Sequence, residues 1–285
     1  MEQEKKELSV KYHNDLNNIK TTQLTEVDLN VFFSLCAKAK EKNSTEVRID
    51  FDTFLDMSGL KNKSTVNTRR KMINFIDKKY EILRKLEYKS KTDRSLKRFP
   101  LINKLWVNED DDFIMLRIDD EFLYILNTEK DFTKFILSNF VGINGKYAKN
   151  LYRLLIRYDD TGWADYTLDD FKDFMGVPDG YRAKDVVDKI IKKSVDELID
   201  RGLMTEIRYE IKRSHRKGNE IKGFHFDFKT CVNDDMPGQT GMSDANKEMS
   251  KYKALKDKER SKYQFNNFPQ NDYDYSELEK KLLDN

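Results

Sequence analysis

Cysteine and histidine are scarce: the chain has two Cys and three His in 285 residues. Cys36 and Cys231 are too few for a disulfide framework. With no Cys partner nearby and so few His, a zinc site lacks a ligand set, and no metal or other cofactor is expected. Long apolar runs are also missing. No stretch approaches the roughly 18 uncharged apolar residues of a membrane span. The first residues, Met-Glu-Gln-Glu-Lys-Lys-Glu-Leu-Ser, are charged and have no apolar h-region, so they do not read as a secretory signal. The expectation is a soluble, cytoplasmic protein with no membrane partner.

Signals for catalysis are missing as well. His13 lies in a polar lead-in, His215 at a turn, and His225 in a Gly-Phe-His-Phe-Asp-Phe strand, facing opposite to its Phe neighbours. Each reads as solvent-facing or satisfied, and no His-apolar-His triplet stands near a nucleophilic Tyr. Gly142-Ile-Asn-Gly145-Lys146-Tyr147 has a Gly-Lys pair, but the spacing is wrong for a phosphate loop and Tyr replaces Ser or Thr. It reads as a loop before a helix. Asp159-Asp160 and Asp169-Asp170 fit helix ends and caps better than acid–base chemistry. No enzymatic activity is expected.

Charge and aromatics are plentiful. Lys and Arg number 53 against 51 Asp and Glu, a net charge of +2, and 18 Phe with 14 Tyr suffice for real cores. The length suggests about two domains. The last 56 residues, 230–285, are poor in apolar residues and carry 9 basic and 11 acidic side chains, so they read as a flexible, slightly acidic tail. A short helix over about 243–262 is possible there.

The body contains a repeat. Asp52-Thr-Phe54-Leu-Asp56-Met57-Ser-Gly59-Leu60 matches Asp169-Asp-Phe171-Lys-Asp173-Phe174-Met-Gly176-Val177 at an offset of 117. Both copies sit in the same order of elements. In the first unit, Thr25-Glu-Val-Asp28 resembles a capping box ahead of a helix to about Lys42. A strand at 47–51, the repeat helix at 52–58 and a longer helix at 64–86 follow. Strands at 99–107 and 113–118 flank the turn 108–112, and a short helix covers 120–126. In the second unit, a lead-in helix at 133–139 precedes a helix at 146–158 and a strand at 164–167. The repeat helix then stops at Gly176, a helix spans 184–200, and strands at 203–212 and 221–228 flank the turn 213–219. Helix, strand, helix, turn, helix, hairpin is the order of a helix-turn-helix with a β-hairpin wing. The expected fold is α+β: tandem, pseudo-duplicated winged-helix domains at 1–127 and 128–230, with a tail at 231–285.

The charge gathers where such a fold meets DNA. The second helix of a helix-turn-helix presents its N-terminal residues to base edges. Residues 61–72 carry Lys61, Lys63, Arg69, Arg70 and Lys71 with no acid, interleaved with Ser64, Thr65, Asn67 and Thr68. Their continuation, 78–98, has nine basic and three acidic residues. The equivalent stretch of the second unit has Arg182, Lys184, Lys189, Lys192 and Lys193 against Asp185 and Asp188, and its wing turn carries Lys212, Arg213, His215, Arg216 and Lys217. A lysine run is often only a solvated helix face, but basic clusters at equivalent places in two repeated units point to double-stranded DNA.

The second unit also carries a family pattern. Tyr147-Ala-Lys-Asn-Leu151-Tyr152-Arg153-Leu154-Leu155, then Thr161-Gly162, Phe171, Met175-Gly-Val-Pro178, Tyr181, Glu197-Leu198 and Ile221-Lys-Gly-Phe224-His-Phe226-Asp-Phe228 resemble the plasmid replication initiators with two winged-helix domains that bind iterons. In the first unit, Asn30-Val-Phe-Phe33-Ser-Leu35 and Leu101-Ile-Asn-Lys-Leu105 fit less specifically. The resemblance covers about 8–229. It implies binding to repeated origin sites, help in opening AT-rich DNA, and recruitment of the host replication initiator and helicase machinery in a bacterial cytoplasm. It implies a homodimer, paired through the first domain and repressing its own promoter, in equilibrium with monomer. It makes the second domain the principal iteron reader, through the helix starting near 182–184, with Leu151, Tyr152, Leu155 and Phe171 in its core. A plain winged-helix transcriptional repressor would share fold and DNA binding but not replication. A purely structural protein would need no basic helices.

Overall fold

The structure, a computed structural model, describes residues 7–231 except 20, 62, 92–95, 108, 109, 111 and 215–218. The tail beyond 231 lies outside the described residues, as do His215, Arg216 and Lys217 of the wing. The chain opens with β1 (Ser9–His13) and a 3-10 turn (Asn14–Asn18), then α1 (Glu26–Lys42), β2 (Glu46–Asp50), α2 (Phe51–Met57) and α3 (Arg69–Leu83). Next come β3 (Glu87–Lys91), β4 (Leu96–Pro100), β5 (Ile102–Val107), β6 (Phe113–Ile118), α4 (Asp120–Leu126), β7 (Phe132–Ile136) and α5 (Leu137–Gly142). The second unit runs through α6 (Lys146–Ile156), β8 (Trp163–Thr167), α7 (Leu168–Met175) and α8 (Ala183–Asp185), a π-helical segment (Val186–Ile191), α9 (Lys192–Asp200), β9 (Met204–Arg213) and β10 (Ile221–Thr230).

Each unit is a winged helix. The three-stranded sheets have the orders β2-β6-β5 and β8-β10-β9, all antiparallel. The offset of 117 extends well beyond the nine matched residues: it carries β2 onto β8 and α3 onto the π segment plus α9. Both repeat glycines take left-handed backbone, φ +67° at Gly59 and +63° at Gly176. Before each, an Asn of the preceding long helix closes the turn. Asn30 Nδ2 donates to the Ser58 carbonyl at 3.4 Å, and Asn150 Nδ2 donates to the Met175 carbonyl at 3.1 Å.

The Thr25–Asp28 capping box forms in full. Asp28 N–H donates to Thr25 Oγ1 at 3.3 Å, and Thr25 N–H donates to Asp28 Oδ2 at 2.8 Å. Asp28 also receives Lys79 at 2.7 Å, which fastens α3 to the start of α1.

Four sequence expectations change. The helix expected at 64–86 is a 3-10 turn (Ser64–Val66) followed by α3, whose N-cap is Thr68. The strand expected at 99–107 is broken at Pro100, and Phe99 belongs to an additional hairpin in which it pairs with Tyr88. Pro cannot donate to a ladder and so sits at a strand end, while Glu-Tyr-Lys-Ser-Lys hides its strand in polar residues. The lead-in helix at 133–139 is instead β7 turning into α5, because β7 pairs with β1, more than a hundred residues earlier. The helix at 184–200 contains a π segment. Its buried residues recur every four positions: Val186, Ile190, Ser194 and Leu198, with Val187, Ile191 and Val195. An α-helix turns once per 3.6 residues and would rotate such a stripe off the core. One wider i→i+5 turn brings it back.

The two units share their core. Leu151, Tyr152, Leu155 and Phe171 are buried, as expected of core residues. Arg153 of α6 is also buried, and donates to Tyr12 Oη (3.0 Å), Asn17 Oδ1 (2.9 Å) and Asn150 Oδ1 (3.1 Å), beneath the Phe33 ring.

Candidate nucleic-acid interface

The first-unit cluster lies on the approach to α3 and its first turn, not along a continuous helix. Lys61 and Lys63 are exposed, and Lys61 reaches Asp56 at 3.5 Å. Ser64 and Thr65 are in the 3-10 turn, and Asn67 links it to the cap residue Thr68. The Thr68 hydroxyl accepts from Lys71 N–H at 3.3 Å. The Lys71 ammonium folds back onto the Ser64 carbonyl (3.1 Å) and Asn67 Oδ1 (3.0 Å). Arg69 is bound by Asp112, at the foot of the β5–β6 turn. Arg70 is exposed on the same turn of helix. Sequence reasoning missed the Asp112 clasp, because the two residues meet only through the tertiary fold. In the continuation at 78–98, Lys89, Lys97 and Arg98 stand on the β3–β4 hairpin, paired with Glu87 or Glu121.

In the second unit, Arg182 is the N-cap of α8, and its backbone N–H donates to Asp185 Oδ2 at 3.2 Å. Lys189 and Lys192 are tied to Asp185 and Asp188, one turn earlier, at 2.6 and 2.7 Å. Those lysines hold both carboxyls below the usual carboxylate range. Lys184 and Lys193 are exposed and have no ion-pair partner among the described residues. The local excess of positive charge therefore rests on Arg182, Lys184 and Lys193. At the wing, Arg213 donates across the hairpin to the Asn219 carbonyl at 3.0 Å, and His215, Arg216 and Lys217 lie outside the described residues.

The wing stands on a polar network. Lys212 reaches Asp165 at 2.5 Å, and His225 bridges Asp165 (2.6 Å) and Asp227 (3.1 Å). Burial would raise the Asp165 carboxyl, but hydrogen bonds from Lys212 and His225 outweigh it and hold the group below the usual range. His225 is thus a satisfied, buried side chain.

The other chemistry-bearing signals have structural roles. Thr167 Oγ1 accepts from Asp170 N–H at 3.2 Å, as a cap does. Asp159, near the end of α6, receives the Thr230 hydroxyl. At the start of α6 the backbone amides face carboxylates: Asn144 N–H donates to Glu197 at 2.8 Å and Gly145 N–H to Glu26 at 2.6 Å. Lys146 donates to the Thr22 and Gly176 carbonyls. These amides are already occupied and do not form an open phosphate cradle. Among the described residues no cluster of three or more His, Cys, Asp or Glu is placed to hold a metal ion. No described helix is long and apolar enough to cross a membrane.

Comparison with known proteins agrees with this architecture. The family profile described as "Initiator Replication protein, WH1" matches residues 9–156, and "Initiator Rep protein, WH2" matches 167–228. The chain is 22% identical over 224 residues to the "Probable replication protein rep" of Bifidobacterium longum (strain NCC 2705), covering 77% of this chain and 72% of that one. Its fold is similar to the crystal structure of the Pi initiator protein in complex with iteron DNA, with a TM-score of 0.61 at 14% identity, covering 79% of this chain and 98% of that one. With both domains matched in order and each built as a winged helix, the chain belongs to the initiator replication protein family.

Proposed function

We propose that this protein starts plasmid replication by binding repeated double-stranded sites at the origin, with no catalytic step of its own. The observation that carries the reading is the duplication: two winged helices in one chain, each with cations around the N-terminus of its second helix. The second domain is the principal reader, through Arg182, Lys184 and Lys193, and its wing grips phosphates through Arg213, His215, Arg216 and Lys217. In the first domain, Arg70 with Lys61 and Lys63 supplies further phosphate contacts. The Pi initiator's complex with iteron DNA supports the choice of repeated sites. Origin opening, recruitment of the host initiator and helicase, and autorepression by a homodimer in equilibrium with monomer complete the proposal, in a bacterial cytoplasm.

A gel shift with direct repeats flanking the gene tests it. A specific shift at moderate salt is expected, with log affinity falling by about 0.9 per phosphate neutralised for each decade of salt. No specific shift, or cleavage dependent on ATP or metal, would count against it. A plain repressor would give the same shift, but the protein and its flanking DNA would not sustain autonomous replication after transformation.

A further inference from the structure

The two units carry an internal control on their outer sheet faces. Strand alternation places Glu46, Arg48 and Asp50 of β2, Phe113, Met115 and Arg117 of β6, and Lys104 and Trp106 of β5 on the first unit's outer face. Trp106 is 43% exposed, among the most exposed large apolar side chains described. The Arg48 guanidinium lies 3.7 Å from the Phe113 ring centre, and the Lys104 ammonium 4.6 Å from that of Trp106. Among the described residues Arg48, Lys104 and Arg117 have no ion-pair partner.

The equivalent face of the second unit has a different chemistry. By offset and register, Arg48 becomes Asp165, Arg117 becomes Asp227, Trp106 becomes Glu210 and Glu46 becomes Trp163. There, Lys212 and Arg208 are neutralised by Asp165 and Glu206. One fold thus leaves an exposed indole and three cations without ion-pair partners among the described residues on this face in one copy, and in the other sets Trp163 against His225 (ring centres 6.0 Å apart) among self-paired acids. The fold does not require the first pattern.

Flat aromatic faces bordered by cations suit unstacked bases and their phosphates. A duplex buries its base faces, whereas a single strand offers them for stacking, whatever its sequence. We infer that the outer face of the first-domain sheet binds single-stranded nucleic acid, with a base stacked on Trp106 and phosphates met by Arg48, Lys104 and Arg117. This site is separate from the duplex surface proposed above, so either reading can fail alone.

The chain has two tryptophans, so Trp163→Phe leaves Trp106 as the only indole reporter. Titrating that full-length variant with single-stranded oligothymidine of about 15 nucleotides should quench its fluorescence. Trp106→Ala and the double reversal Lys104→Glu, Arg117→Glu should each weaken oligothymidine binding about tenfold or more, whereas Trp106→Phe should retain most of it. The gel shift on duplex direct repeats should stay unchanged in all of them. The charge reversals touch only exposed side chains, so they test the face even if Trp106→Ala fails to fold. Absence of quenching, or variants that bind oligothymidine as the parent does, overturns the inference. So does a charge reversal that alters only the sedimentation of the free protein, since the face would then join copies of the chain. Quenching without any duplex shift would keep this site and remove the duplex reading.

Discussion

Gly176 shows how one residue joins the two units. A Cβ there would lie 2.9 Å from Thr22 N and 3.0 Å from the Thr21 carbonyl carbon, on a backbone at φ +63°. A left-handed L-residue costs roughly 1–2 kcal/mol before any clash. Gly176→Ala should therefore lose about 2 kcal/mol or more, measured by urea denaturation. Gly202, also left-handed but with open space around it, should lose only the conformational part on the same change. Lys149 gives a second test. It is buried, with its ammonium donating to the Phe140 and Val141 carbonyls at 2.6 and 3.1 Å. Burial pushes its pKa from 10.5 down to about 8. Between these values the unfolded chain holds the proton more tightly than the folded one, so stability contributed at this position rises with pH. The full change is up to about 3 kcal/mol. Buried tyrosines act in the opposite sense near pH 10, so the comparison needs a matched variant. From pH 7.5 to 9.5, wild type should gain stability relative to Lys149→Met, and a constant difference would remove the assignment.

At the scale of elements, the two helix starts differ in how they hold their cations. On α3, Arg69 and Lys71 are bound within the domain, by Asp112 and by the Ser64–Asn67 turn. On the α8–α9 segment, i,i+4 pairs occupy Lys189 and Lys192. If these helices meet DNA as proposed, Lys184→Ala and Lys193→Ala should each reduce the salt slope by about 0.9. Lys184→Ala, nearer the helix start, should also change the preferred site in a binding selection. Asp112→Asn removes a negative charge beside this helix start and should tighten duplex binding, and an unchanged affinity would place that helix start away from DNA. The repeat, the Thr25 and Thr167 caps and both helix-ending glycines were legible from local residue types, because caps and turns are made by neighbours in sequence; the Thr68 cap of α3 was not. The β3–β4 hairpin was not, since Glu-Tyr-Lys-Ser-Lys has one apolar residue to mark it. The π segment was not either, although its four-residue apolar rhythm was its trace.

Across the whole molecule, β1 pairs with β7, and the first unit's Tyr12 and Asn17 satisfy Arg153 of the second. The buried apolar residues form one continuous cluster from Val10 to Phe228. Thermal unfolding of the full chain should therefore be a single cooperative transition rather than two. Arg153→Ala removes three buried hydrogen bonds and leaves Asn150 Oδ1 without its donor, while Tyr12 Oη still donates to Asn17 Oδ1, and should lower stability by about 3 kcal/mol. Arg153→Lys should rescue little, because an ammonium cannot span the three acceptors that the guanidinium fork reaches. Two resolved transitions in calorimetry would contradict a shared core.

Local chemistry in the sequence determined the duplication, the winged-helix order, the capped helices and the segregation of charge, and the resemblance of the second unit pointed to the initiator family. Each of these depends on residues within a turn or two of one another, or on a repeat that survives at constant spacing. The tertiary structure alone decided which cations are already bound, which sheet faces carry opposite charge, and that the two units close around Arg153. Those outcomes depend on contacts between residues far apart in the chain, where burial and geometry, not local pattern, set which partner a side chain meets.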